Sequence, residues 1–290
     1  MKKFTDSTIF EIINFLPEIY NQHSRDSKIY NFLFAFVNEV LENTKLNDKN
    51  LGSINLVDLG NIFFPFVQMG AINTKHLFAL DELIIFAYYW RNKERYQKAA
   101  DLGANLGLHS IFMARCGWNV DAYEPDPIHF KKMNENFILN ELNQNQIRSH
   151  NLAVSDVDGE SEFIRVLGNT TSSHLSGAKD NAYGELERFN VVTQSADKIF
   201  EKTDFIKMDV EGSENKIILS TRREHWLNVD MMLEVGNEKS ASEIYTHLNK
   251  LKINAFSQKN NWGRVDSLNQ MPTSYKEGSL FISAHSEMNW

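Results

Sequence analysis

The sequence predicts a doubly wound α/β fold, and three observations carry that expectation. From Lys98 onward strand patterns alternate with helix patterns, the signature of a parallel sheet with right-handed crossovers. A glycine turn, DLGANLGLHS at 101–110, joins the first of these strands to its helix. The last two strand patterns follow one another with no helix pattern between them. At 290 residues the chain has room for one large core with an appended region. We therefore expect a mainly helical N-terminal cap over 1–75 and the α/β domain over 76–290.

Taken in order, apolar residues at helical spacing (Ile9, Ile12, Ile13, Leu16; then Leu33, Phe36, Val37, Val40, Leu41) predict amphipathic helices over 7–16 and 28–43. Pro17 should end or kink the first. Between Ile54 and Met69, β-branched and aromatic residues broken by Gly60 and Pro65 indicate short strands or an irregular cap. A helix over 77–94 leads into the domain. Strands are expected at 98–102, 119–124 and 147–154, with helices from Leu108 and over 127–142. Two β-rich pieces, 161–167 and 189–194, flank a polar loop at 168–184. Strand and helix resume at 205–210, 213–219, 231–235 and 241–251, and the strands at 253–257 and 279–284 should pair antiparallel. The segment VDLGN at 57–61 copies the start of the glycine turn. Phe63, Phe64 and Pro65 follow it in place of a glycine and a helix, so it reads as a loop.

Composition narrows the function classes. The formal net charge is -8 and no stretch gathers lysine and arginine into a stripe, which disfavours a nucleic-acid partner. A single cysteine, Cys116, leaves no internal disulfide and no cysteine-built zinc site. Asp81 and Glu82 interrupt the most hydrophobic stretch, and Asp6 and Glu11 interrupt the N-terminal one, so a cytoplasmic protein without a membrane span is expected.

The glycine turn carries the chemistry. Gly103 and Gly107 let backbone amides at a helix N-terminus approach an anionic group of a ligand. A dinucleotide fingerprint would need glycines at 103, 105 and 108, where Asn105 and Leu108 demote a nicotinamide enzyme. Glu124 ends the second strand 21 residues after Gly103, where a carboxylate can accept hydrogen bonds from both ribose hydroxyls of an adenosine. The plainer alternative is an ordinary charged strand end.

The run DLGANLGLHSIFMARCGWNVDAYEPDP, followed by NENFILN at 134–140, AVSDVDG at 153–159 and FIKMDVEGSE at 205–214, resembles the FkbM family of methyltransferases over about residues 76–236. That resemblance implies S-adenosylmethionine as cofactor and a hydroxyl of a sugar, glycan or other small natural product as acceptor. It also implies a Rossmann-like seven-stranded methyltransferase sheet with an antiparallel last strand. By the resemblance Asp101, Gly103, Asn105 and Gly107 line the methionine end of the cofactor, Glu124 the ribose, and Asp156 the adenine. The alternative for Asp156 is a plain polar turn. SADK at 195–198, where the family commonly has a Thr-Leu-Asp-type segment, and the long N-terminal region are departures that bear on acceptor choice.

On the acceptor side, Asp209 closes a strand of the parallel sheet and so points toward the crevice where ligands bind. Asp209, Glu211 and His174 are the catalytic candidates, with His109 in reserve. Asn169, Thr170 and Glu234 are the candidate acceptor contacts. Glu211 and Glu214 also suit plain helix capping. Asp209, Glu234 and Asn237 offer hard oxygen ligands, but the spacing shows no ligand cluster within one segment and no metal is expected. Two rival readings stand beside the small-molecule O-methyltransferase. One is a catalytically silent cofactor-binding protein, distinguished by tight binding without transfer. The other is a nucleic-acid methyltransferase, which would carry an Asn-Pro-Pro-type strand motif where this chain has KMDVEG. A homodimer through the N-terminal helices is a further expectation.

Overall fold

The computed structural model describes residues 7–43, 53–56, 59–178 and 184–290. Helix α1 (Ser7–Phe15) gives way at Pro17 to a tighter turn over Leu16–Gln22, because a proline cannot continue the donor ladder. Helix α2 (Lys28–Asn43) follows and leaves Ile29, Phe32 and Phe34 exposed. Two small hairpins come next, β1 (Ser53–Leu56) with β2 (Gly60–Phe63), and β3 (Gln68–Met69) with β4 (Ile72–Asn73). The 57–61 segment read as a loop therefore opens strand β2 at Gly60, while residues 57–58 lie outside the described ones. The helix expected over 77–94 is the shorter α3 (Leu80–Arg91), since Thr74–Phe78 forms a separate turn capped by the Asn73 side chain.

The alternating part contains β5 (Lys98–Leu102), α4 (Leu108–Arg115), β6 (Asn119–Tyr123), α5 (Pro127–Leu139) and β7 (Ile147–His150). Four strands outside the main sheet follow: β8 (Ala153–Ser155), β9 (Gly159–Val166), β10 (His174–Leu175) and β11 (Leu186–Ser195). The chain then forms α6 (Asp197–Phe200), β12 (Phe205–Met208), α7 (Glu214–Ser220), β13 (Asp230–Glu234), α8 (Glu238–Leu251), β14 (Asn254–Ser257), β15 (Gly263–Arg264) and β16 (Ser279–Ser283). The main sheet runs in the order β15-β14-β16-β13-β12-β5-β6-β7. Its pairs from β13 to β7 are parallel, and β16 inserts antiparallel between β13 and β14.

Two expectations need correction. The sheet has eight strands where seven were expected, because Asn261 and Trp262 take left-handed backbone angles and turn the chain back as the two-residue edge strand β15. The single strand expected over 147–154 is two. β7 stays beside β6, whereas β8 joins a second sheet in the order β10-β9-β11-β8. Between them Asn151 Nδ2 donates to the carbonyls of Glu124 and Pro125 at 2.9 and 3.1 Å, which bends the chain away from the main sheet.

Strand alternation sorts the core into two layers. Ala99, Phe205, Met232 and Phe281 face one layer with Phe86, Phe112 and Trp118, whereas their neighbours Ala100, Ile206, Met231 and Ile282 face the other with Ile217, Ile244 and Leu248. Ile12, Ile13 and Leu16 of the N-terminal segment pack into the first layer. Among the described residues no helix is long and apolar enough to cross a membrane.

Candidate active site

A cleft of about 270 Å³ opens at the carboxyl ends of β5, β6, β12 and β13, where ligands of open α/β sheets bind. Its floor is the glycine turn. Gly103 and Ala104 both donate to the Tyr123 carbonyl at 3.0 and 2.9 Å, holding the turn across the end of β6. Gly103 has φ +79°, and a Cβ there would collide with the Asp209 carbonyl oxygen at the end of β12. Gly103→Ala is therefore expected to cost about 2–4 kcal/mol, from left-handed strain plus the forced shift of backbone, and to lower cofactor affinity with it. Thermal melting alongside a binding titration checks this.

Glu124 and Asn105 form one wall. Glu124 is buried, and its two carboxylate oxygens accept from the backbone amides of Asp126 and Asn105, each at 2.8 Å. Burial pushes its carboxyl up to about 8 in spite of those two amides, with the charges of Asp126 and Asp101 adding to the rise. Asn105 sits in left-handed conformation at φ 53°, and its buried Oδ1 has no hydrogen-bond partner in the cleft wall. Asp126 caps α5 through the Ile128 amide at 2.8 Å, and Arg165 of β9 clamps it with two bonds of 2.6 Å. That clamp fixes the second sheet against the cleft.

The far end is acidic. Asp209, Glu211, Glu234 and Glu82 line it, and the buried Lys207 lies behind them within the field of Asp209, Glu82 and Glu234. Lys207 Nζ lies 3.5 Å from Asp209 Oδ2 and 4.0 Å from Asp101 Oδ1. Burial lowers the lysine, but the carboxylates of Asp209, Asp101, Glu82 and Glu234 outweigh it and hold the ammonium above its ordinary range. Glu234 goes the other way: burial, then the charges of Asp209 and Glu82, lift its carboxyl well above the usual range against Lys207. Asp101 is wholly buried beneath the turn, accepts from Ser110 Oγ at 2.6 Å, and leaves Oδ1 without a hydrogen bond. Among the described residues no His, Cys, Asp or Glu group could hold a metal ion.

The remaining wall is polar and comes from outside the main sheet. Thr170, Thr171 and Ser173 line it from the turn between β9 and β10, together with His129 of α5, whose Nε2 lies 3.0 Å from Thr170 Oγ1. Ile72, His76 and Leu77 come from the N-terminal region. The β3–β4 hairpin docks there because the Ala71 amide donates to the Gly168 carbonyl at 2.9 Å and Gly70 leaves no room for a Cβ against that residue.

Of the residues singled out in the sequence, Gly103, Asn105, Glu124, Thr170, Asp209, Glu211 and Glu234 meet at this cleft. Others do not reach it. Asp156 follows β8 into the second sheet, where Ser155 Oγ donates to it at 2.9 Å, and the cleft is lined at that point by Ala153 and Val154. His174 is buried on β10 with its Nδ1 2.9 Å from the Ser172 carbonyl, while its chain neighbours Ser173 and Leu175 line the cleft. Gly107 serves the turn from below, since a Cβ there would strike Met133 and Phe137 of α5. Asn169 bonds Ser172 and Thr171 within its own loop. Glu214 braces the turn that precedes α7 and does not cap the helix: it accepts from the Val210 and Gly212 amides at 3.1 and 2.9 Å, and burial lifts its carboxyl to about 7. His109 bridges Glu82 and Tyr89 behind the wall.

Glu82, Lys207, His129, Thr171 and Ser173 were not assigned a role from the sequence. Lys207 had a local signal, because it stands two residues before Asp209 and so on the same strand face. The others reach the cleft through long-range packing.

The residues suit a nucleoside cofactor that carries a cation. Glu124 and the free Asn105 Oδ1 are acceptors for hydroxyl or amide donors, Ala153, Val154 and Leu175 offer an apolar wall, and the far end has more carboxylates than cations. A profile described as the methyltransferase FkbM domain matches residues 101–260. Methyltransferase sdnD of Sordaria araneosa is 27% identical over 158 residues, which cover 43% of this chain and 61% of that protein. The chain thus spans less than two thirds of that relative's length. Among solved structures, methyltransferase FkbM from Methylobacillus flagellatus is 16% identical, with 64% of this chain and 43% of that chain covered and a TM-score of 0.39. A SAM-dependent methyltransferase from Agrobacterium tumefaciens is 11% identical, with 82% and 72% covered and a TM-score of 0.42.

Proposed function

Since the chain belongs to the FkbM methyltransferase domain family, whose cofactor is S-adenosylmethionine, we propose that it methylates a hydroxyl of a sugar, glycan or other small natural product. The observation that carries this reading is that one cleft is lined both by Glu124 and Asn105 and by the acidic end with Asp209 and Glu234. S-adenosylmethionine, when bound, supplies a methyl group on a positively charged sulfur, open to in-line displacement. In this reading Glu124 accepts from the ribose hydroxyls, Asn105 Oδ1 accepts a further donor, and Ala153 and Val154 take the adenine contact expected of Asp156. Thr170, Thr171, Ser173 and His129 offer the donors and acceptors that a polyhydroxyl ligand needs, and the many carboxylates disfavour a phosphate-rich acceptor.

Transfer to a hydroxyl requires that its oxygen be held close to the methyl group and relieved of its proton. Asp209 Oδ takes that proton in this scheme, with the Lys207 ammonium 3.5 Å away fixing its orientation. Glu234, whose protonated form is favoured by burial and by the charge of Asp209, donates to the same oxygen in this scheme and positions it.

The test is transfer of labelled methyl from S-adenosylmethionine to a panel of sugars, glycans, hydroxylated small molecules, amines and RNA. Label in a hydroxyl-bearing small molecule is the expected result; label confined to RNA or to amines would contradict it. Turnover is expected to survive a chelator of divalent metals, because Lys207 already supplies the cation among these carboxylates. Loss with chelator and recovery with magnesium would refute that assignment.

A further inference from the structure

The proposed function leaves Glu82 unused, although it lines the reaction end of the cleft from helix α3, before the segment that the family profile matches. Its setting differs from that of a surface acid. Glu82 Oε2 lies 2.9 Å from His109 Nε2, and His109 Nδ1 lies 2.9 Å from the Tyr89 hydroxyl. A carboxylate can only accept, so the imidazole donates to Glu82 through Nε2. Tyr89 is fully buried and stacks edge-on against His109, and Phe86 packs against the same ring at 4.8 Å between centroids. One oxygen of Glu82 is thereby fixed by a ring that is itself fixed, which leaves the other for the cleft.

The charges around it are unbalanced. Glu82, Asp101 and Asp209 share the field of Lys207, with His109 as the other nitrogen base in contact, while burial favours the neutral form of the neighbouring Glu234. Burial pushes the Glu82 carboxyl up, but the His109 imidazole and the Lys207 ammonium outweigh burial and keep it below the usual carboxylate range. A charge taken out of water is costly unless a partner meets it, so an oriented carboxylate in an already acidic cleft calls for a cationic ligand group with hydrogen-bond donors. A sulfonium has no such donor; an ammonium has three.

We propose that Glu82 accepts a hydrogen bond from the α-ammonium of the cofactor's methionine moiety, with His109 and Tyr89 as positioning residues. Helix α3 thus completes the cofactor site from outside the matched domain. This rests on the S-adenosylmethionine reading of the cleft and adds to it the group that reads the amino-acid end. Recognition of a primary ammonium makes the site selective for ligands with an intact amino-acid tail.

Calorimetric titration of the full chain tests the assignment with two probes. S-adenosylhomocysteine keeps the amino-acid tail without the sulfonium charge, and 5′-methylthioadenosine lacks the tail altogether. Glu82→Gln is expected to weaken S-adenosylhomocysteine by about 10-fold or more, the worth of a hydrogen bond between charged groups, with 5′-methylthioadenosine within about twofold of native. His109→Asn should show the same selective loss at smaller size, since the carboxylate keeps its charge but loses its anchor. Unchanged S-adenosylhomocysteine binding in Glu82→Gln would overturn the proposal. So would equal weakening of both probes, which marks a structural role, or tighter S-adenosylhomocysteine binding, which would put the ligand's carboxylate beside Glu82. If the native chain bound neither probe, the cofactor reading itself would fall.

Discussion

Glu124→Gln is expected to weaken S-adenosylmethionine by about 100-fold or more while the chain stays folded. Two hydroxyl donors meeting one carboxylate form charge-assisted bonds, each worth about 1.5–3 kcal/mol, and an amide offers a single neutral oxygen in their place. The carboxyl is already oriented by the Asn105 and Asp126 amides, so the native site orders no further side chain when the ribose arrives. The variant also turns amide hydrogens toward one of those backbone donors, which adds an unsatisfied pair. A pH signature accompanies the loss. In the free protein the carboxyl titrates near 8, because burial raises it, and hydroxyl donors favour the ionised form. Native affinity should climb as pH rises from 6 to about 8, by up to about tenfold per unit, and then level off, with a proton released on binding. Glu124→Gln should remove most of that slope. Calorimetry in two buffers of different ionisation enthalpy reads both the affinity and the proton; native affinity in the variant would dismiss the ribose assignment.

The same carboxyl bears on stability in the absence of ligand. Its folded value, about 8, lies above the ordinary 4.5, so between those values the folded chain holds a proton that the unfolded chain has released. The stabilisation is complete below about 4.5 and is lost as pH rises through about 8. Cofactor should offset that loss.

Asp209→Asn is expected to lower the rate of methyl transfer by about 100-fold to 10,000-fold, the range for a lost general base, with cofactor affinity close to native. Lys207 lies 3.5 Å from the carboxylate, and an asparagine keeps an oxygen for that ammonium while giving up the site for the proton. Steady-state rates with any acceptor found in the labelling screen, read beside the binding constant, separate the two effects. A native rate would make Asp209 structural and leave Glu211 as the next candidate. His174→Ala, by contrast, should change stability more than turnover, since His174 is buried on β10 and is not among the residues that line the cleft.

What the sequence disclosed and what it withheld divide along local and non-local lines. The glycine turn, Glu124 at the end of β6 and Asp209 after β12 were legible because each depends on one strand, one turn and the rule that parallel sheets bind ligands at their carboxyl ends. Asp156 was misplaced because nothing local marks where β7 ends; the bend at Asn151 arises from its bonds to residues 26 and 27 positions earlier in the chain. His174 was misplaced because a two-residue strand has no periodicity to read, and its facing is set by pairing with Ile164 and Phe163. Glu82 looked like an interruption in an apolar stretch until α3 packed against α4 and brought His109 to it. Lys207 was the one omission with a local clue, since strand alternation already put it beside Asp209.

The cofactor site is tested most directly by a single titration of the native chain with S-adenosylmethionine at pH 8, repeated with Glu124→Gln. One saturable site per chain in the native protein, and loss of about 100-fold or more in the variant, is the predicted result. No binding by a folded native chain, or equal binding by both proteins, would contradict the claim that this cleft holds the cofactor.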